Sequence, residues 1–411
     1  MGARSVANLP INRGFDSHIG FLKGAEDHFD QRSNFDGYAK EFIDLWQDDG
    51  PEPNQLNGTY SVERDAAQAV RIIDTHAFGR RPLYLHVMFQ ACHSPYQVPD
   101  RFRNPAIHDL CRQTYHAMAS AMDEGIGNIS AALKARGVWE ESLLVFSADN
   151  GAPTAKGSCG NNYPLRGGKT SSFEGGVRAS AFVSGGYVPK AARGSVHNGL
   201  LHVADWYATF SALVGVDPAD TSQAVSDGTV PGVDSIDQWA SIITPNATTS
   251  ARAEVPLAFC TNVGGKKDDC VSSVRPPTPG ANGSSSFDQG GLISVADDGT
   301  GLWKVLFGDQ HGLGFWTGPQ HPNGTADYTD VGCPDGCLFN LNDDPTEHVD
   351  LKDLHPQRFA ALKARLLEWG QTVYQTSYTD VPHASQCLTP QQAALRYQGH
   401  IGPQCIKGVQ R

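Results

Sequence analysis

The run Ser147-Ala148-Asp149-Asn150-Gly151 places a carboxylate and a carboxamide side by side, directly after a short apolar stretch. Hard oxygen donors of this kind suit Ca²⁺ or Mg²⁺, and in open α/β sheets ligands bind beyond the carboxyl ends of the strands. Asp-Asn-Gly is also a good turn sequence, so the run by itself leaves both readings open. His93, in Phe89-Gln90-Ala91-Cys92-His93-Ser94-Pro95, again follows an apolar stretch. An imidazole there could act as general acid or hold an anion; an ordinary loop histidine would look the same. A Cys92–His93 dyad is disfavoured, because neighbours on an extended segment point to opposite sides. The third feature is Asn162 to Arg178, where Arg166, Lys169 and Arg178 lie among glycines. Flexible backbone lets a lysine approach an anion closely, although a solvated basic loop is the plain alternative. Gly167-Gly168-Lys169-Thr170 resembles the tail of a nucleotide phosphate loop, but position 163 is Tyr where a glycine is required and no strand directly precedes it. That excludes the nucleotide reading.

These residues need elements to hold them. Pro82 to Phe89, Leu143 to Ala148 and Ala179 to Val183 read as short apolar strands of the kind buried in a parallel sheet. Between them, Tyr115, Ala119, Met122, Ile126, Ile129 and Leu133 recur at helical spacing and predict one apolar face over 109–137, ended by Gly137. Asn128 falls nearly opposite that face. Residues 202–214 predict another amphipathic helix. Strands alternating with helices predict an α/β domain with a mostly parallel sheet. The first eighty residues read as loop-rich. Beyond about residue 245 the texture changes to Ser, Thr, Gly and Pro, then a strand candidate at Leu302 to Phe307 and a helix at Arg358 to Thr372. This predicts a smaller α+β appendage. The C-terminal stretch shows no clear pattern.

Composition narrows the partners. The net charge is −12, which argues against nucleic acid held by a general basic field but leaves room for a local anion pocket. No apolar run is long enough for a transmembrane helix, and Met1 to Val6 lacks the apolar region of a signal peptide. Nine cysteines and Asn-x-Ser/Thr sequons at Asn57, Asn128, Asn246, Asn282 and Asn323 nevertheless favour an oxidising, secretory compartment. The expectation that reconciles these is a natural N-terminus lying upstream of Met1. An odd cysteine count leaves one unpaired, either a free thiol or one whose partner lies on that segment.

Taken together, the motifs resemble the type I sulfatases, closest to the arylsulfatase B branch, within the alkaline-phosphatase-like superfamily. The resemblance is carried by Arg13-Gly14-Phe15-Asp16, Gln90 to Pro99, Met122-Asp123-Glu124 with Gly127-Asn128, Phe146 to Gly151, Pro164 to Lys169, Glu174 to Arg178 and, late in the chain, Leu338 to Glu347. It implies an α/β/α sandwich with a large, mainly parallel sheet over residues 1–245. A smaller C-terminal domain with an antiparallel sheet and one helix would cover 246–411. It further implies hydrolysis of sulfate esters, with sulfated sugars as substrate class, by a secreted, lysosomal or vacuolar glycoprotein. Asp149 and Asn150 would form half of a Ca²⁺ site, and His93 and Lys169 would contact the sulfate and the leaving oxygen. The residue types suit these roles. A divalent cation and a lysine stabilise charge on the sulfuryl oxygens, and a protonated histidine can protonate the departing oxygen.

Three family elements are missing. The nucleophile of these enzymes is a formylglycine made from Cys or Ser in Cys/Ser-x-Pro-x-Arg, and this chain contains no such motif; Cys92 has Pro at +3, and Ser273-Val274-Arg275-Pro276 has the wrong order. The family's first strand, ending in an Asp-Asp pair, is also missing. Asp48-Asp49 has no apolar strand before it and matches a surface loop instead. The family's Lys-x-His element would lie just upstream of Met1. The expectations are therefore an incomplete Ca²⁺ site, negligible turnover, and an unpaired sheet edge prone to aggregation. Two other readings stay open: a catalytically dead binding protein, and a phosphate-ester hydrolase of the same superfamily.

Overall fold

The computed structural model describes residues 5–33, 42–52, 58–228, 231–260, 289–296, 298, 301–308, 310, 313–322, 328–329, 332–372 and 387–405. The sequons at Asn57, Asn282 and Asn323, and the Ser273–Pro276 run, lie outside them. The chain separates into two compact units, Met1–Ser142 with Asp380–Arg411, and Leu143–Thr379.

The first unit is built on two packed helices, Ser61–Thr75 and Leu110–Ala135. The shorter was not anticipated, yet its buried Val62, Ala66, Ala69 and Ile73 keep helical spacing. The longer begins at an Asp109 cap that accepts the Arg112 N–H at 2.8 Å, and Gly137 follows it with φ +72°. Its buried face is Thr114, Ala117, Met118, Ala121, Gly125, Ile129 and Ala132, which shares only Ile129 with the expected stripe. The reason is close packing. A Cβ on Gly125 would sit 3.2 Å from Ala66 Cβ and 3.3 Å from Phe89, so the small residues face the neighbouring helix and the larger ones flank the seam. Asn128 is exposed, as expected. Residues 82–89 run extended with Leu83, Leu85, Val87 and Phe89 packed on Ala69, Ile73 and Ile129, while Tyr84 and Met88 face outward. The segment alternates as a strand does, but it pairs with no strand among the described residues. The C-terminal stretch, where no pattern was evident, also contributes. A helix Pro390–Arg396 starts at a Thr389–Gln392 capping box, Cys387 and Cys405 are disulfide-bonded, and the Trp46 indole donates to the Ile401 carbonyl.

The second unit opens with Leu144–Ser147, paired antiparallel to Ala181–Ser184. Both strands fall where the sequence placed them, and no parallel ladder joins strands among the described residues. The Ala181–Ser184 strand is not buried on both faces; Phe182 is half exposed, stacked on Phe146 with ring centroids 5.0 Å apart. The α/β character and the C-terminal antiparallel sheet are as expected. That sheet runs Glu254–Cys260, Gln289–Val295, Leu302–Gly308, Cys333–Asn340, each pair antiparallel. The helix Pro356–Gln371 covers one face, packing on Leu292, Trp303, Val305, Phe307 and Leu338. The other face buries Ile293, Leu306, Phe339 and the fully buried Phe173. Phe173 belongs to the loop that carries Lys169, so the C-terminal sheet is the floor on which that loop rests.

Candidate active site

The Asp149–Gly151 turn and the Lys169 loop are locked together by glycines, all within the second unit. A Cβ on Gly151 would lie 1.7 Å from the Gly175 carbonyl oxygen; one on Gly168 would meet Ala152 O at 2.6 Å; and one on Gly176 would meet Ser171 O at 2.2 Å. Backbone touches backbone at each point, so only glycine fits. Hydrogen bonds close the contacts. Gly151 N–H donates to Gly176 O at 2.8 Å, Lys169 N–H to Ala152 O at 3.1 Å, and Gly175 N–H to Arg166 O at 2.7 Å. The Asn162 carboxamide staples both sides, donating to Ala152 O at 2.9 Å and Gly167 O at 3.0 Å while accepting from the Ala152 N–H at 2.9 Å. Thr170, next to Lys169, has φ +78°, a strained conformation for a β-branched residue and one that only a tightly bonded loop sustains.

Three of the four candidate residues therefore stand on adjoining segments. Asp149 is exposed, and Asn150 is half-buried with its Nδ2 donating to Gly151 O at 2.8 Å. Lys169 is half-buried, and no described carboxylate pairs with its Nζ. Asp149 and Asn150 offer hard oxygens of the right chemistry for Ca²⁺, which takes about six to eight. Among the described residues, no group of three or more His, Cys, Asp or Glu could hold a metal ion. The set present falls well short of a full shell.

His93 belongs to the first unit. Its Nδ1 lies 2.7 Å from the Ser94 carbonyl, which can only accept, so that nitrogen carries the proton. The loop is held from below by buried polar groups. Gln90 Nε2 donates to Glu26 O at 2.7 Å, its Oε1 accepts from Glu26 N at 3.1 Å, and His28 Nε2 lies 3.2 Å from the His93 carbonyl. Burial pushes His28 down to about 4, keeping that ring neutral. Cys92 is the free cysteine among the described residues. It packs among Tyr60, Met118 and their neighbours, and burial lifts its thiol to about 12, which removes it as a nucleophile at neutral pH.

Sequence reasoning overlooked the charges beneath the Lys169 loop. Lys304, in the middle of the Leu302–Gly308 strand, is fully buried, with Nζ 2.9 Å from Glu174 and 2.8 Å from Glu347. A lysine inside Leu-Trp-Lys-Val-Leu-Phe was the available signal, since an unpaired buried ammonium is not tolerated.

Residues 3–216 match the sulfatase family profile, which is more than half of the chain. The chain belongs to the sulfatase family. Over 384 residues it is 30% identical to arylsulfatase J of Mus musculus, covering 90% of this chain and 58% of that protein. N-acetylgalactosamine-6-sulfatase of Mus musculus is 26% identical over 230 residues, 53% of this chain and 42% of the relative. The chain thus spans little more than half the length of these relatives, or less. Among solved structures, Ps i-CgsB superposes with TM-score 0.63 at 22% identity, covering 90% of this chain and 70% of the other. Its complex with k-i-k-neocarrahexaose gives TM-score 0.63 at 21% identity, covering 96% and 74%. These structures support the alkaline-phosphatase-like fold.

Proposed function

We propose that this chain contributes the anion-binding and proton-donating part of a sulfuric ester hydrolase acting on sulfated sugars. The observation that carries the reading is Lys169: a half-buried ammonium on a backbone bonded to the Asp149–Gly151 turn, with no described carboxylate to neutralise it. Such a cation is preorganised for charge on a sulfuryl group. His93, with Nδ1 occupied by the Ser94 carbonyl, presents Nε2 to the leaving oxygen. Asp149 and Asn150 are the residues proposed for Ca²⁺; because the donors fall short, no step is assigned to the ion. The formylglycine motif is absent from the 411 residues, so turnover by this chain alone is proposed to be negligible. A sugar substrate is supported by the N-acetylgalactosamine-6-sulfatase relatives and by the neighbour solved with a neocarrahexaose. Disulfides at Cys333–Cys337 and Cys387–Cys405 support a secreted, lysosomal or vacuolar setting. No helix among the described residues is long and apolar enough to cross a membrane. The division of the fold at residue 245 belongs to the same proposal.

Equilibrium dialysis with radiolabelled sulfate tests this reading. The chain should bind sulfate in preference to phosphate, and Lys169→Met should weaken binding at least tenfold. Equal binding by the variant removes Lys169 from the site; a preference for phosphate would favour the phosphate-ester reading.

A further inference from the structure

The buried charges under the Lys169 loop do more than fill the core. Residues 302, 304 and 306 share the sheet face toward Phe173, and Lys304 stands at its centre. Its Nζ donates to Glu174 Oε1 at 2.9 Å and forms an ion pair with Glu347 Oε1 at 2.8 Å that is not aligned as a hydrogen bond. The second oxygen of Glu347 accepts the Glu174 backbone N–H at 2.7 Å. The Glu347 carbonyl in turn accepts from Arg166 Nη1 at 3.3 Å. Arg166 also donates through Nε to Gly314 O at 2.9 Å, and its guanidinium lies 3.9 Å from the Phe173 ring centre and 4.3 Å from that of Trp316. Arg166 and Glu174 are the two ends of the loop, and Lys169 lies between them.

We propose that Lys304, Glu174 and Glu347 form a buried charged strut that clamps both ends of this loop, making Lys304 a positioning residue for Lys169. The proposal rests on the reading that Lys169 meets the anion. Two carboxylates share one ammonium, so removal of Lys304 leaves two buried negative charges side by side. The Glu174 end of the loop must then move away from the sheet. The sheet itself need not, because Leu292, Val305 and Leu338 hold it from the opposite face.

The test is site-resolved amide hydrogen exchange on the 411-residue chain and its Lys304→Met variant. The amides of Lys169, Gly175 and Gly176 should exchange at least tenfold faster in the variant, while those of Val305 and Leu338 stay within threefold of the parent. Unchanged loop exchange overturns the proposal, and so does an equal rise in loop and sheet. Should Lys304→Met fail to fold, Glu347→Gln decides by the same amides, with an expected rise of at least threefold confined to the loop. Sulfate binding is measured alongside, and a fivefold or greater loss is expected in Lys304→Met. A parent chain that binds no sulfate through Lys169 would end the anion reading, while the exchange data would still decide the strut.

Discussion

Gly151→Ala isolates the contact that ties the Asp149 turn to the Lys169 loop. The added methyl would lie 1.7 Å from Gly175 O, 2.7 Å from its carbonyl carbon and 3.1 Å from Gly176 Cα. Ordinary contact needs about 3.5 Å, so two backbones must part by on the order of 1.5–2 Å; no flexible side-chain end can yield instead. Overpacking costs about 1–3 kcal/mol. Parting the backbones also breaks the Gly151 N–H to Gly176 O bond, worth about 1 kcal/mol. The sum, about 2–4 kcal/mol, corresponds to a fall in Tm of about 5–15 °C for a unit of this size. Differential scanning calorimetry measures it, with Gly127→Ala as control. Gly127 lies mid-helix with nothing within 4 Å of its would-be Cβ, so alanine there should stabilise by roughly 0.5–1 kcal/mol. A Gly151→Ala protein that melts within about 2 °C of the parent refutes the packing argument.

Three further outcomes are expected. Burial raises Glu26 to about 8, so the folded chain keeps a proton that the unfolded chain has released. Its contribution is present at acid pH and is lost as pH rises through that value; His28, held near 4, acts oppositely but only below its unfolded value of 6.5. Stability should therefore fall from pH 6.5 to 8, on the order of 2 kcal/mol from Glu26 alone, and a flat urea midpoint over that range would contradict it. Alkylation of Cys92 by iodoacetamide at neutral pH, followed by peptide mapping, should run roughly a hundredfold slower than for free cysteine; a rapid reaction would place the thiol outside its apolar pocket. Calcium titration calorimetry should show weak or no binding by this chain, and a tight site would mean that oxygen donors beyond Asp149 and Asn150 complete the shell.

What could be read from the sequence depended on how local the cause was. The Leu110–Ala135 helix was legible from its period and from Gly137, but its buried face was not. Which side of a helix is small enough for a close neighbour depends on that neighbour, here Ala66 and Phe89. Ser61–Thr75 carried a readable period that was lost among surrounding turn residues, and Thr389-Pro390-Gln391-Gln392 carried a readable capping box. Strand positions at 144–147 and 181–184 were legible from apolar runs, whereas their pairing with each other was not, because an apolar run states burial and not pairing. Residues 82–89 show the same limit: alternation makes an extended segment, and only a partner makes it a strand. At the site, glycine spacing marked Asp149–Gly151 and Gly167–Gly176 as special. The physical reason, backbone against backbone, required the fold. Lys304 was the missed residue, since its partners lie 130 and 43 positions away in sequence.

We propose, from the family resemblance alone, that His93 and Lys169 serve one anion. A double-mutant cycle on sulfate binding measures this directly, using the parent, His93→Ala, Lys169→Met and the double variant. Groups that meet the same ligand are coupled by about 0.5–3 kcal/mol, and independent ones add to within about 0.3–0.5 kcal/mol. The predicted result is coupling above about 1 kcal/mol; strict additivity would show that the two residues serve different sites and would contradict the proposed function.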